Sequence, residues 1–108
     1  MRNSVIVNKM LEYIDKVQGY IFGIDEQAFY SNTMLLEACV FNLSQLGELV
    51  VHLDEKYKVD HPEIPWAKIS GLRHHIVHDY EGIVASLIWD TIVNNLPELK
   101  KQLTSISN

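Results

Sequence analysis

The chain has 108 residues, of which 47% are hydrophobic and 21% charged, and its formal net charge at pH 7 is -5. These values are typical of one globular domain, spanning residues 1–108, that buries a core of its own. They are not those of a disordered segment. The acidic balance argues against a protein that coats nucleic acid by bulk positive charge, but it leaves room for a local phosphate site.

The cysteine content and the length of the apolar segments predict the cellular compartment of the protein. Cys39 is the only cysteine, which rules out an intrachain disulfide and is typical of a reducing cytoplasm. Its apolar neighbours Leu36, Val40 and Leu43 predict a core position for it. Residues 1–10 lack a signal-peptide core, and the apolar runs are shorter than the ~20 residues of a membrane span. We therefore expect a soluble, cytoplasmic protein.

The first segment has a helical pattern. Apolar residues recur at steps of three and four from Val7 to Ile21, which predicts a helix that buries one face. Gly19 and Gly23 indicate its end. A linker with a short turn is expected over residues 25–30.

A second, longer helix follows, with Ser31 or Asn32 as its N-cap. We expect it to run to about Tyr57, before Pro62 and Pro65 interrupt the helical pattern. Its apolar stripe is so broad that it predicts burial on two sides, against the bundle and against a second chain.

The remaining chain predicts two more helices. One starts near Pro65, as a first-turn proline, and is expected to stop at Gly82. The other covers residues 85–105, where Pro97 should kink or split it just after Asn95. The predicted fold class is all-α: an up-and-down bundle of four or five helices with a hinge before the third.

The side chains that could bind a phosphate or transfer a proton are concentrated in residues 73–80. This stretch contains Arg73, three of the five histidines, Asp79 and Tyr80. The first interpretation is a phosphate site. The guanidinium of Arg73 offers a planar fork of donors that suits phosphate oxygens. A nearby histidine exchanges a proton near neutral pH, so the pair suffices for RNA cleavage without a metal.

Two other interpretations stay open on spacing alone. His74 and His78 are four residues apart, so they can share a helix face and chelate one zinc ion, with Asp79 or His75 as a further ligand. No glutamate follows the first histidine as in a zinc-protease motif. The third interpretation is that these residues simply solvate and cap a helix C-terminus, where histidines are favoured by the helix dipole.

The motif and its flanks also resemble a known family. Arg73, four residues, His78, one residue and Tyr80 resemble the signature of HEPN domains of the HepT-like branch. The stretch that leads into Arg73 from Ile64 is similar as well, as are Leu46-Gly-Glu48, Trp89-Asp90 and Leu96-Pro-Glu-Leu-Lys100. The resemblance covers roughly residues 9–103. It departs from the family pattern at His74, where an asparagine is usual. Either His74 or His78 could therefore handle the proton, and the family pattern favours His78.

The resemblance implies an all-helical homodimer with two motif copies facing each other across a cleft. It implies a metal-independent endoribonuclease toxin that needs no cofactor and leaves a cyclic phosphate. The implied partner is a small nucleotidyltransferase antitoxin of the MntA type, which silences the toxin by transferring AMP to a tyrosine.

The resemblance assigns roles by position. Arg73 would bind phosphate and stabilise the transition state, and His78 would be the general acid and base. Tyr80 would contact substrate and accept AMP. His74, Asp79 and Glu48 are supporting candidates, with Glu48 orienting Arg73 from the neighbouring helix.

Helix geometry then favours a dimer. Arg73 and His78 are about 140° apart on a regular helix, so they converge only if the helix ends near Val77 or if Arg73 of one chain meets His78 of the other. The alternative function is a non-catalytic helical partner of a nucleotidyltransferase that holds a nucleotide in the Arg73 cleft.

Overall fold

The computed structural model describes residues 2–73 and 82–107, and of residues 82–84 only the backbone. Over these ranges the chain is helical without a strand, which confirms the all-α class. The helices are α1 (Arg2–Ile21), α2 (Glu26–Tyr30), α3 (Thr33–Val51), α4 (Glu55–Asp60), α5 (Trp66–Gly71), α6 (Gly82–Asp90) and α7 (Leu96–Ile106), with a π-helical turn over Thr91–Asn95.

Helix α3 is the centre of the fold. It packs along α1 on one side and against α5 on another, and it also contacts α2 and α6. Helix α7 closes the bundle against α1. The side chains that fill the space between these helices are aliphatic or aromatic and include Val7, Met10, Ile14, Val17, Phe29, Leu43, Leu46, Ile88, Ile92 and Leu103.

The start of α3 agrees with the sequence pattern. Asn32 is the N-cap, and its side-chain oxygen accepts a hydrogen bond from the backbone N–H of Leu35 at 3.0 Å. This bond satisfies one of the amides that a helix start leaves unpaired. Of the two predicted caps, Asn32 therefore caps the long helix.

The predicted end of the long helix at Tyr57 is wrong, because α3 ends at Val51 and a separate α4 follows. Between them Leu53 turns into the core and is buried. The backbone N–H of Asp54 donates to the side chain of Asn3, whose amide donates back to the Asp54 carboxylate, both at 3.2 Å. The burial of Leu53 and the two hydrogen bonds to Asn3 of α1 compensate for the backbone hydrogen bonds that are lost where α3 ends.

Two boundaries around α5 and α6 also differ from prediction. Pro65 is the N-cap of α5 and lies outside the first turn. The following Trp66 is held by its indole N–H, which donates to the carbonyls of Lys58 and His61 at 3.1 and 3.0 Å. Gly82, predicted as a stop, is the first residue of α6.

The predicted split of the last segment before Pro97 is confirmed. The α-helix ends at Asp90, the π-helical turn covers Thr91–Asn95, and α7 starts at Leu96. Proline has no N–H to donate to the preceding turn, and π-helix is rare except as single turns of this kind within helices. Asn95 is the last residue of the π-helical turn and directly precedes α7.

Helix α3 is also long and apolar enough to cross a membrane by length and composition alone, but half of this stretch is buried inside the bundle, as in the core helix of a globular protein. Cys39 lies in this helix and is fully buried, as predicted, and burial raises the pKa of its thiol to about 11. A thiol of that kind is protonated at neutral pH and unreactive.

Candidate functional site

Arg73 lies just beyond the C-terminal end of α5, facing α3. Its guanidinium Nη1 is 3.8 Å from Oε1 of Glu48, and the two side chains are 36% and 51% exposed. This distance is too long for a direct hydrogen bond but short enough for an ion pair. The Arg73 guanidinium is thus attracted toward α3 while its remaining donors stay accessible to a ligand.

Gly47 explains why Arg73 comes so close to α3. A methyl group at Gly47 would lie 2.7 Å from the carbonyl oxygen of Ile69 and 3.0 Å from the backbone nitrogen of Arg73. Only a residue without a side chain permits that approach of two backbones. The Gly47-Glu48 pair was noticed in the sequence by resemblance alone. In the structure, Gly47 leaves room for the backbone of Arg73, and Glu48 faces the Arg73 guanidinium.

We expect Gly47→Ala to lower the free energy of unfolding by up to about 2 kcal/mol. Alanine favours a helix by about 1 kcal/mol over glycine, but forcing a methyl group against backbone atoms costs about 1–3 kcal/mol. Gly71→Ala is the matched control, because a methyl group there has no neighbour within 4 Å. Urea unfolding at one protein concentration compares them. Equal stability of the two variants would contradict the close approach at Gly47.

His52 is a neighbour of the site that the sequence analysis left without a role. Its Nε2 is 3.8 Å from Oε2 of Glu48, one helical turn earlier in the chain. Glu48 therefore lies between an arginine and a histidine. The spacing of four residues on one helix was the available signal, since such residues are neighbours on a helix surface.

Four predicted site residues, His74, His78, Asp79 and Tyr80, lie outside the described residues. Their roles stay predictions, as do the zinc alternative at His74 and His78 and the convergence of Arg73 with His78. Of the predicted set, the structure describes Arg73 and Glu48 and brings these two together. In residues 2–73 and 82–107, no three His, Cys, Asp or Glu side chains form a cluster that could hold a metal ion.

The comparisons with known proteins agree on one family. The model of the family described as "Ribonuclease HepT-like" matches residues 10–106. No solved structure matches the chain.

Three relatives illustrate the similarity. The chain is 34% identical over 93 residues to "Putative RNase TTE0752" of Caldanaerobacter subterraneus subsp. tengcongensis, covering 86% of this chain and 80% of that protein. It is 28% identical to "Putative RNase MJ1216" of Methanocaldococcus jannaschii, over 90% of this chain and 80% of that protein. It is 27% identical to "Probable ribonuclease HepT" of Thermococcus cleftensis, over 82% and 81%.

Proposed function

Because the chain belongs to the HepT-like ribonuclease family, of the HEPN class, we propose that it is a metal-independent endoribonuclease toxin that cleaves RNA at Arg73 and His78. The observation that carries the proposal is the Arg73 guanidinium, held beside Glu48 and still partly exposed. An arginine placed in this way can receive a phosphate without first breaking a strong bidentate pair.

The proposed reaction is an internal transfer of the phosphoryl group. The imidazole of His78 removes the proton from a ribose 2′-hydroxyl, whose oxygen attacks the adjacent phosphorus. Arg73 stabilises the negative charge that builds up on the phosphoryl oxygens. The bond from phosphorus to the 5′-oxygen breaks, that oxygen takes a proton from an acid, and a 2′,3′-cyclic phosphate remains.

A homodimer would supply the second acid. If Arg73 of one chain works with His78 of the other, each cleft contains groups from both chains. The outer face of α3 supports this arrangement, because Met34 and Phe41 are 80% and 56% exposed on the helix that also carries Glu48. Being seven residues apart, these two side chains share one face of the helix, and grouped apolar side chains left exposed on a surface mark interaction sites.

Regulation by a second protein is part of the proposal. A small nucleotidyltransferase of the MntA type would act as antitoxin in the cytoplasm, transferring AMP to the hydroxyl of Tyr80. The added adenylate would place a bulky anion two residues from His78 and compete with RNA phosphate for Arg73. The family resemblance of residues 73–80 supports this step.

The test is RNA cleavage by the native chain in excess EDTA. The mass of the peptide that contains Tyr80 is measured first, so that an adenylated toxin is not mistaken for an inert protein. We expect unmodified protein to cut RNA with and without EDTA and to leave cyclic phosphate ends. Cleavage that disappears with EDTA would overturn the metal-free mechanism.

No cleavage by unmodified protein would overturn the enzymatic proposal. The non-catalytic alternative, a nucleotide-holding partner of the nucleotidyltransferase, would then be favoured. It requires nucleotide-dependent binding to that partner, which calorimetry measures directly.

A further inference from the structure

A groove of about 520 Å³ lies between α5 and the last part of the chain. Apolar side chains of both parts line it: Pro65, Ile69 and Leu72 from α5 and its flanks, and Leu96 and Leu99 from α7. Its volume is in the range of small-molecule pockets, which are about 300–1,000 Å³. Of these residues, Ile69, Leu96 and Leu99 are buried, while Pro65 and Leu72 keep apolar surface exposed to a ligand.

Three polar side chains at this groove differ from the others in having no partner among the described residues. Lys68, Asn95 and Glu98 line it and, among the described residues, make no side-chain hydrogen bond or ion pair. By contrast, Asn94 donates to Asp90 at 2.6 Å, and Gln102 donates to the carbonyl of Glu63 at 3.1 Å. The groove therefore offers an ammonium, an amide and a carboxylate to a ligand.

The π-helical turn helps to create this set. It separates α6 from α7, so that Asn95 stands at the junction and Glu98 lies in the first turn of α7. Asn95 does not use its side chain to cap α7. Its amide is therefore available to the groove, and such π-helical turns occur frequently at functional sites.

We propose that this groove receives a guanine base of the RNA. The ligand class rests on the proposed function, and the chemistry of the groove selects the base. The carboxylate of Glu98 accepts from the adjacent N1–H and N2–H groups of guanine, while the ammonium of Lys68 and the amide of Asn95 donate to its O6. Adenine and cytosine lack the pair of adjacent donors, and uracil has a single ring N–H.

The position of the groove relative to Arg73 fits a neighbouring nucleotide of the same strand. Leu72 lines the groove and directly precedes Arg73, while Ile69 also lines the groove and has its carbonyl oxygen against Gly47. The two sites are thus on different sides of one helix, whose diameter with side chains is about 10–12 Å. A strand that passes the end of α5 would contact both.

The experiment measures binding and does not require cleavage. Calorimetry compares the affinities of the native chain for GMP, AMP, CMP and UMP. We expect GMP to bind about tenfold more tightly than the other three, since a good bidentate contact to a base discriminates by about that factor or more. Glu98→Gln should remove this preference, because the side-chain amide replaces one of the two acceptor oxygens by an NH2 donor, which cannot pair with a guanine donor. Glu12→Gln, which removes an equal charge from α1, should keep it.

The outcomes separate this inference from the proposed function. A preference for GMP that depends on Glu98, in a chain that does not cut RNA, would support the groove and overturn the ribonuclease. Equal affinities for the four nucleotides, or a preference unchanged in Glu98→Gln, would overturn the guanine site while leaving cleavage untouched. Asn95→Ala provides a second variant, which should weaken GMP binding severalfold.

Discussion

Replacing Arg73 by alanine is expected to lower the rate of RNA cleavage about 100- to 1,000-fold. Removal of one donor that stabilises a developing oxyanion has a cost of this size. The folded state should change little, because the ion pair with Glu48 joins two partly exposed groups, and such pairs contribute about 1 kcal/mol or less. Single-turnover cleavage and the urea midpoint, measured on the same preparation, check both statements.

Two further variants define what Arg73 does. Arg73→Lys keeps the charge but loses the planar fork, so it should recover only part of the activity. Glu48→Gln should reduce cleavage severalfold at most if Glu48 acts only by orienting Arg73, and it should have no added effect in an Arg73→Ala background. Full activity of Arg73→Ala would rule out the proposed phosphate site.

The second large effect is expected for His78→Ala, with a loss of cleavage of about 100- to 10,000-fold. This is the usual contribution of a side chain that transfers protons in the transition state. His61→Gln is the comparison, because His61 follows α4 beside the ring of Tyr57 and has no proposed role in cleavage. His74→Ala decides which histidine of the motif handles the proton. Retained cleavage in His78→Ala would make our assignment wrong.

Mixing the two inactive variants tests whether the cleft is shared between chains. A dimer of one Arg73→Ala chain and one His78→Ala chain has one complete site only if Arg73 of one chain works with His78 of the other. Random exchange of chains would then restore about a quarter of native activity, since half of the dimers are mixed and each has one of two sites. No recovery after exchange would place both groups of a site in one chain.

Local patterns in the sequence were sufficient for much of the fold. Helical periodicity predicted the first helix, and the polar side chain of Asn32 predicted the start of α3 because a cap acts within three residues. Pro97 predicted the split before α7 because its effect is confined to one turn. The end of α3 was not predictable in the same way, because it depends on burial of Leu53 and on hydrogen bonds between Asp54 and Asn3, 51 residues apart in the chain.

For the site, the sequence by itself determined which groups are present: an arginine, three histidines and a tyrosine within residues 73–80, in the order of the HepT-like motif. The family resemblance also predicted Glu48 beside Arg73, and the structure brings the two together. Only the tertiary structure decided that Gly47 admits the backbone of Arg73 and that Lys68 lies in a groove with Glu98. The physical reason is distance along the chain. Caps, prolines and periodic patterns act over one or two turns, whereas these contacts form only when α5 packs against α3 on one side and lies beside α7 on another.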